Sequence, residues 1–227
     1  VVWGAYAVRG GRVLSLGSLQ YYPTPPNAGL ALLEWLEGHA GGALSGAAVL
    51  DPAAGRGALP TWLEPLGAKW HLYELWKGWE DELWDAPGVD DVMICNSLQA
   101  KWPEEANIIA NPPYGKALLP FVDKIHAHCR ENRALGAVLT PAPWWGEGPR
   151  GRDYRPDRLI WLTKRLNFDY GPRGVPTTHV WAIYLPNEEA DTRVHFVDPP
   201  PATADLQQIH RKMCSFNPFQ IALGLEG

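Results

Sequence analysis

The chain has 227 residues and a formal net charge of −5, from 20 lysines and arginines against 25 aspartates and glutamates. That length suits one sizeable α/β domain, and the acidic balance argues against a strongly basic nucleic-acid binder. No apolar run is long enough to cross a membrane and no signal-type segment opens the chain. The widely spaced Cys95, Cys129 and Cys214 argue against a disulfide framework and for a reducing, cytoplasmic compartment.

Residues 1–20 read as a hairpin extension around Gly10-Gly11, with apolar positions alternating on either side. Ala47 to Leu50 has the look of a buried strand. Asp51 ends it, and in Asp51-Pro52-Ala53-Ala54-Gly55-Arg56-Gly57 the two glycines turn the chain into a helix expected from Ala58 to about Leu66. A strand, a glycine loop and a helix in this order let backbone approach a nucleotide-like cofactor. The next strand, Lys69 to Glu74, ends in an acid seventeen residues past Gly57, where a carboxylate accepts hydrogen bonds from ribose hydroxyls. The loop lacks the three-glycine dinucleotide pattern and no Gly-Lys-Ser/Thr follows it. That favours an adenosine-type cofactor without a pyrophosphate, such as S-adenosylmethionine.

Ala106 to Ala110 is a short apolar run with strand character, and it runs into Asn111-Pro112-Pro113-Tyr114. This pattern suits methylation of a planar, conjugated NH2 group. The nitrogen lone pair of such a group is delocalised, and accepting both N–H protons in hydrogen bonds turns it toward an electrophile. The Asn111 side-chain carbonyl and the backbone carbonyl of Pro112 are the acceptors. Two prolines hold that backbone stiffly, and Tyr114 offers a ring on which a base stacks. The competing reading is a strand-ending turn, because Asn-Pro starts turns.

A helix is expected over Ala117–Glu131 and a strand over Leu135–Thr140. A basic stretch follows, with Arg150, Arg152, Arg155, Arg158, Lys164, Arg165 and Arg173 against Asp153, Asp157 and Asp169. Mixed with Trp144, Trp145 and glycines, it reads as a loop that grips a nucleic-acid backbone on the same edge as Asn111. Past Pro186 the chain turns polar, breaks at Pro199-Pro200-Pro201 and forms a helix from Ala204 to Met213. The division is a hairpin at 1–20, a catalytic domain at 21–186, and a tail at 187–227 that packs on the domain or mediates association. No metal is expected: His126, His128 and Cys129, and separately His210 and Cys214, supply no four-ligand set.

Taken in order, these motifs resemble S-adenosylmethionine-dependent amino-methyltransferases that act on adenine N6 in DNA, in particular the small phage-type enzymes. The likeness spans roughly residues 20–186. Tyr22-Pro23-Thr24-Pro25, ahead of a helix at about Ala28–Glu37, resembles the segment that closes over the methionine part of the cofactor. Asp51, Pro52, Ala53, Gly55 and Gly57 resemble the cofactor loop, and Glu74 the ribose-binding acid. Asn96, after a strand at Asp91–Cys95, stands where the family has an Asp that reads the cofactor adenine. Asn111 to Tyr114 resemble the catalytic loop, with Asn111 bordering the cofactor as well. The run Leu159 to Phe168 and the strand His179 to Leu185 resemble the last two strands.

The resemblance implies a Rossmann-like α/β fold. Its sheet would have seven mostly parallel strands with an antiparallel last pair, and helices on both faces. It implies methyl transfer to N6 of adenine, flipped out of duplex DNA, at a short or relaxed site. Trp144 or Phe168 would supply a second stacking surface, and Arg150, Arg152, Arg155 and Arg173 would contact the nucleic acid. The same catalytic loop serves enzymes that methylate adenine in RNA or a glutamine amide in protein. A catalytically silent binding module is a further alternative.

Overall fold

The computed structural model describes residues 8–9, 12–13, 22–40, 42–146, 149–168, 177–187 and 191–214. Short strands β1 (Val8–Arg9) and β2 (Arg12–Val13) pair antiparallel, in the stretch read as a hairpin. Helix α1 (Pro26–Ala40) leads to β3 (Ala48–Asp51), helix α2 (Ala58–Trp62), β4 (Lys69–Glu74), helix α3 (Glu80–Trp84) and β5 (Val89–Ile94). Then come β6 (Asn107–Ala110), helix α4 (Leu118–Asn132), β7 (Gly136–Pro141) and the short helices α5 (Pro143–Gly146) and α6 (Arg150–Asp153). β8 (Arg158–Leu162), β9 (His179–Tyr184), β10 (Arg193–Val197) and helix α7 (Ala204–Cys214) complete the order. Among the described residues no helix is long and apolar enough to cross a membrane.

β3 to β10 form one sheet of eight strands in the order β10-β8-β9-β7-β6-β3-β4-β5. β9 runs against its neighbours β7 and β8, and the other pairings are parallel. The antiparallel pair near the end and the helices on both faces match the sequence reading. The strand count is eight rather than seven. The added strand, β10, lies in the stretch read as a tail and sits at the sheet edge beside β8. An edge strand needs no continuous apolar run, and Val194 and Phe196 are indeed exposed. Nothing in its pattern marks it as part of a buried sheet.

Successive side chains along each strand serve opposite faces. Val49, Leu72, Ile109, Leu139 and Trp181 pack under α1 and α2, while Leu50, Tyr73, Ile108, Val138 and Ala182 pack under α4 and α5. α1 approaches α2 closely because Gly29 has no Cβ: one placed there would lie 2.6 Å from Trp62 Cβ. α2 stops at Trp62 instead of reaching Leu66, and a 3-10 turn covers Glu64–Leu66. Pro65 lacks the N–H that an α-helix needs there, and its ring opposes the carbonyl one turn back.

One buried charge ties the far end of the sheet together. Asp157 is fully buried, and its Oδ2 accepts the Leu185 N–H at 2.7 Å. Arg130 of α4 forks onto both carboxylate oxygens at 3.1 and 3.2 Å. Removing one member of such a pair strands the other. Arg130→Ala is therefore expected to lower the unfolding free energy by about 3 kcal/mol, read from urea denaturation. In Arg130→Ala/Asp157→Ala the loss should fall short of the two single losses added together.

Candidate active site

β3 lies between β4 and β6, so strand order reverses there and a crevice opens at the carboxyl ends of the strands. The residues that follow these strands wall a cavity of about 320 Å³. Asp51 closes β3 and is 1% exposed. Its Oδ1 accepts the Ala53 N–H at 3.0 Å and bends the chain into the glycine loop. Gly55 takes φ 58°, a left-handed conformation natural to glycine. That turn aims the Gly55 N–H at Glu74 Oε2, 2.8 Å away. Glu74 Oε1 accepts the N–H groups of Leu75 and Trp76, each at 2.8 Å. Burial pushes Asp51 up to about 8; the Ala53 N–H opposes the shift and the Glu74 charge adds to it. Burial also pushes Glu74 up to about 7 against its backbone donors.

Pro52 and Ala53 line the same cavity, as do Tyr22, Thr24 and Asn96. Gly57 does not. It shapes the entry to α2 at φ 73°, where a Cβ would lie 3.0 Å from Ala86 Cβ. Its expected contact with a cofactor is therefore a turn requirement. Asn96 Oδ1 accepts the Leu98 N–H at 3.2 Å, which folds the loop after β5 against the cavity. Lys124, from the middle of α4, braces that loop. Its Nζ donates to the carbonyls of Ser97 at 2.7 Å and Ala100 at 2.6 Å, and it sits 4.4 Å from the Trp102 ring centre. Sequence reasoning missed Lys124, because a lysine on an amphipathic helix ordinarily reads as solvated.

Asn111 to Tyr114 form the other wall. Asn111 Nδ2 donates to the Tyr22 carbonyl at 2.9 Å, and the Tyr114 hydroxyl donates to Asn111 Oδ1 at 2.9 Å. Burial holds the Tyr114 phenol well above its ordinary pKa, so it stays a donor. Behind it stand two buried rings. Phe168 meets the Tyr114 ring edge-on with centroids 6.2 Å apart, and His179 lies 5.5 Å away. Burial pulls His179 down to about 4, so it is neutral at physiological pH. Tyr22 stacks over Tyr114 at 6.4 Å and 18° and is 45% exposed. His179 has no local sequence signal: it opens a strand otherwise made of buried apolar residues.

Both expected second stacking surfaces are corrected here. Phe168 is buried behind Tyr114 and offers no free stacking face. Trp144 is buried in the core beneath α5, against Trp145, away from the cavity wall. Trp145 Nε1 donates to Thr140 Oγ1 at 2.7 Å, which pins that helix to the sheet.

The basic stretch does not form one surface on the Asn111 edge. Arg158 pairs with Ile183, beside Tyr184, which faces the first residue of β7. Arg155 and Arg158 therefore lie at the opposite edge of the sheet from Asn111. Arg155 faces Asp191 at 3.9 Å, Arg152 pairs with Asp153 at 2.8 Å, and the Arg150 guanidinium covers the Trp144 ring at 5.6 Å. Lys164 and Arg165 follow β8 on the site's edge, and Arg173 and Asp169 fall outside the described residues. Among the described residues no group of three or more His, Cys, Asp or Glu could hold a metal ion.

No protein-family model matches the chain, and no curated protein does either. Solved structures do match. A Pyrococcus horikoshii protein proposed to be an RNA methyltransferase superposes with a TM-score of 0.56 at 22% identity, over 74% of this chain and 88% of its own. The 23S rRNA methyltransferase ErmE superposes with a TM-score of 0.51 at 17% identity, over 85% of this chain and 77% of its own. The fold is that of a Rossmann-like methyltransferase.

Asp51 and Glu74 make the cavity sensitive to pH. Both hold protons more tightly in the folded chain than at their ordinary values of 3.8 and 4.5. The stability they contribute is full below those values and is lost as pH rises through about 7 to 8. Without added ligand, the thermal midpoint should fall between about pH 5 and about pH 9. Asp51→Asn should flatten the upper part of that fall, as read by calorimetry across the range.

Proposed function

We propose that this protein transfers a methyl group from S-adenosylmethionine to the exocyclic N6 of adenine in DNA. One observation carries the reading: Asn111 is held by two hydrogen bonds in the wall of a cavity that also holds the buried Asp51 and the half-buried Glu74.

The cavity fits such a cofactor. Its volume is about 320 Å³, and Leu59, Trp79 and Leu98 provide apolar wall against which an adenine ring packs. Burial raises Glu74 in spite of its three backbone donors, and a ribose hydroxyl would supply a further one. Asp51, buried beside it, suits a ligand with positive charge. Asn96 offers an amide to a base edge, and Thr24 lies at the same wall. When bound, S-adenosylmethionine supplies an electrophilic methyl on a sulfonium, which departs as a neutral thioether.

The chain's own residues position the acceptor. Asn111 Oδ1 keeps a lone pair for one N–H of the amine, and the Pro112 carbonyl takes the other. Both acceptors draw the nitrogen lone pair out of conjugation, and Tyr114 holds the ring by stacking. Catalysis is then positioning and electrostatics. The N6 group lies inside a base pair, so the adenine leaves the stack before reaction. The likeness of residues 159–168 and 179–185 to the last two strands of the phage-type DNA enzymes supports DNA. β10 and α7 build onto the catalytic body, and a short or relaxed site is part of this proposal. Adenine in RNA is the second reading, favoured by the RNA named for both similar structures.

Incubation with labelled cofactor and separate DNA, RNA and protein pools, followed by nucleoside analysis, tests the acceptor. N6-methyladenine in DNA is the expected product. Label confined to RNA adenine establishes the second reading, and label in protein or in no pool overturns both. Asn111→Ala should lower kcat by about a hundredfold or more while cofactor affinity stays within about a few-fold. Glu74→Ala should weaken S-adenosylmethionine binding by about 1–3 kcal/mol in calorimetry.

A further inference from the structure

Tyr22, Pro23 and Thr24 line the cavity as a strap, and each of their three carbonyls accepts a hydrogen bond from a different part of the chain. Tyr22 O takes Asn111 Nδ2 at 2.9 Å, Pro23 O takes His210 Nε2 at 3.2 Å, and Thr24 O takes Trp62 Nε1 at 2.7 Å. The donors come from the loop after β6, from α7 and from α2. Pro23 and Pro25 have no N–H, so the strap makes few bonds of its own and its position is set by those three partners.

His210 is fully buried. A carbonyl only accepts, so Nε2 carries the proton and the ring is the neutral Nε2–H tautomer. Burial lowers its pKa, in keeping with a neutral ring. The ring also meets Trp62 edge-on at 6.3 Å, which links two of the three donors. The same end of α7 reaches other parts of the site. Cys214 Sγ lies 3.6 Å from His210 Nε2 and donates to the Phe168 carbonyl at 3.0 Å. Arg56, in the glycine loop, donates to the Lys212 carbonyl at 2.9 Å.

We infer that His210 is a positioning residue that orients Asn111 through the strap. His210 fixes Pro23, which fixes the adjacent Tyr22 carbonyl. That carbonyl takes Asn111 Nδ2, and the Tyr114 hydroxyl takes Oδ1, so the amide has one facing. A strap out of register frees the amide to turn, and an N–H then stands where the acceptor amine needs an oxygen. The inference rests on the role proposed for Asn111.

His210→Phe keeps the ring and removes the donor, and His210→Gln restores a donor. His210→Phe should lower kcat by about tenfold or more, with KM for nucleic acid and affinity for S-adenosylhomocysteine within about threefold. His210→Gln should recover most of the loss. Unchanged kcat in a folded His210→Phe overturns the inference and leaves the proposed reaction standing. Equal losses in the Phe and Gln variants also overturn it, because they mark ring packing instead of the hydrogen bond. Nitrogen-15 histidine NMR on the wild-type protein reads the strap without activity. The Nε2–H tautomer, titrating below the ordinary histidine value, is expected; an Nδ1–H tautomer or a ring that charges near its ordinary value overturns the inference. A wild-type protein inactive on every pool defeats the proposed reaction instead, and the NMR result then judges the strap alone.

Discussion

Two neighbouring carboxyl groups at the carboxyl ends of β3 and β4, Asp51 buried and Glu74 half-buried, are the constraint on which the rest of the site depends. Asp51 pairs in register with Leu72, so Glu74 stands two residues beyond it on the next strand. Buried carboxylates need donors, and the chain supplies them from backbone: Ala53 for Asp51, and Gly55, Leu75 and Trp76 for Glu74. The shape of the glycine loop follows from that demand. Gly55 must turn left-handed for its N–H to reach Glu74, and no side chain there does the same work without strain. Even so, both groups hold their protons too tightly for ordinary carboxylates. Burial, not a want of backbone donors, raises them, and a ligand that brings further donors offsets that burial.

The parts legible in sequence were those that a buried parallel sheet imposes on local pattern. Strands covered on both faces read as apolar runs. Ala48–Asp51, Lys69–Glu74 and Asn107–Ala110 stand close to where the pattern puts them, with their loops attached. The site residues at strand ends were legible for the same reason, because strand ends in a parallel sheet share one edge. β10 was not legible, since an edge strand carries no such run. The placement of the arginines was not either. Whether Arg155 lies near Asn111 is decided by strand direction and register, through the pairing of Arg158 with Ile183, and charge spacing holds no trace of that. Lys124, His179 and His210 act on partners far along the chain, which composition and period do not reveal.

The tryptophans are a third case, frequent in the sequence but without an evident role there. In the fold they combine apolar bulk with a donor at the tip. Trp62 reaches the Thr24 carbonyl, Trp181 the Ala28 carbonyl at the start of α1, and Trp102 the Ser97 carbonyl in the loop after β5. Each indole fills core and fixes a backbone segment that leads to the cavity. A leucine would fill the same space and remove that donor, so these positions link core packing directly to the geometry of the site.

The same logic bears on the acceptor proposed for the site. An Asn-Pro-Pro loop treats an adenine N6 and a glutamine amide alike, because both present a conjugated NH2. The difference lies behind Tyr114. Its ring is braced by the edge of Phe168 and by His179, both buried, so the platform is rigid before anything binds. Burial keeps His179 uncharged across physiological pH, which spares the platform a cation that water would solvate and displace. A nucleobase on such a ring gains about 1–3 kcal/mol from stacking, while a glutamine amide has no π-face of that size. Under the function proposed above, an aromatic ring braced beside a fixed amide acceptor is the feature that would favour a base over a side chain.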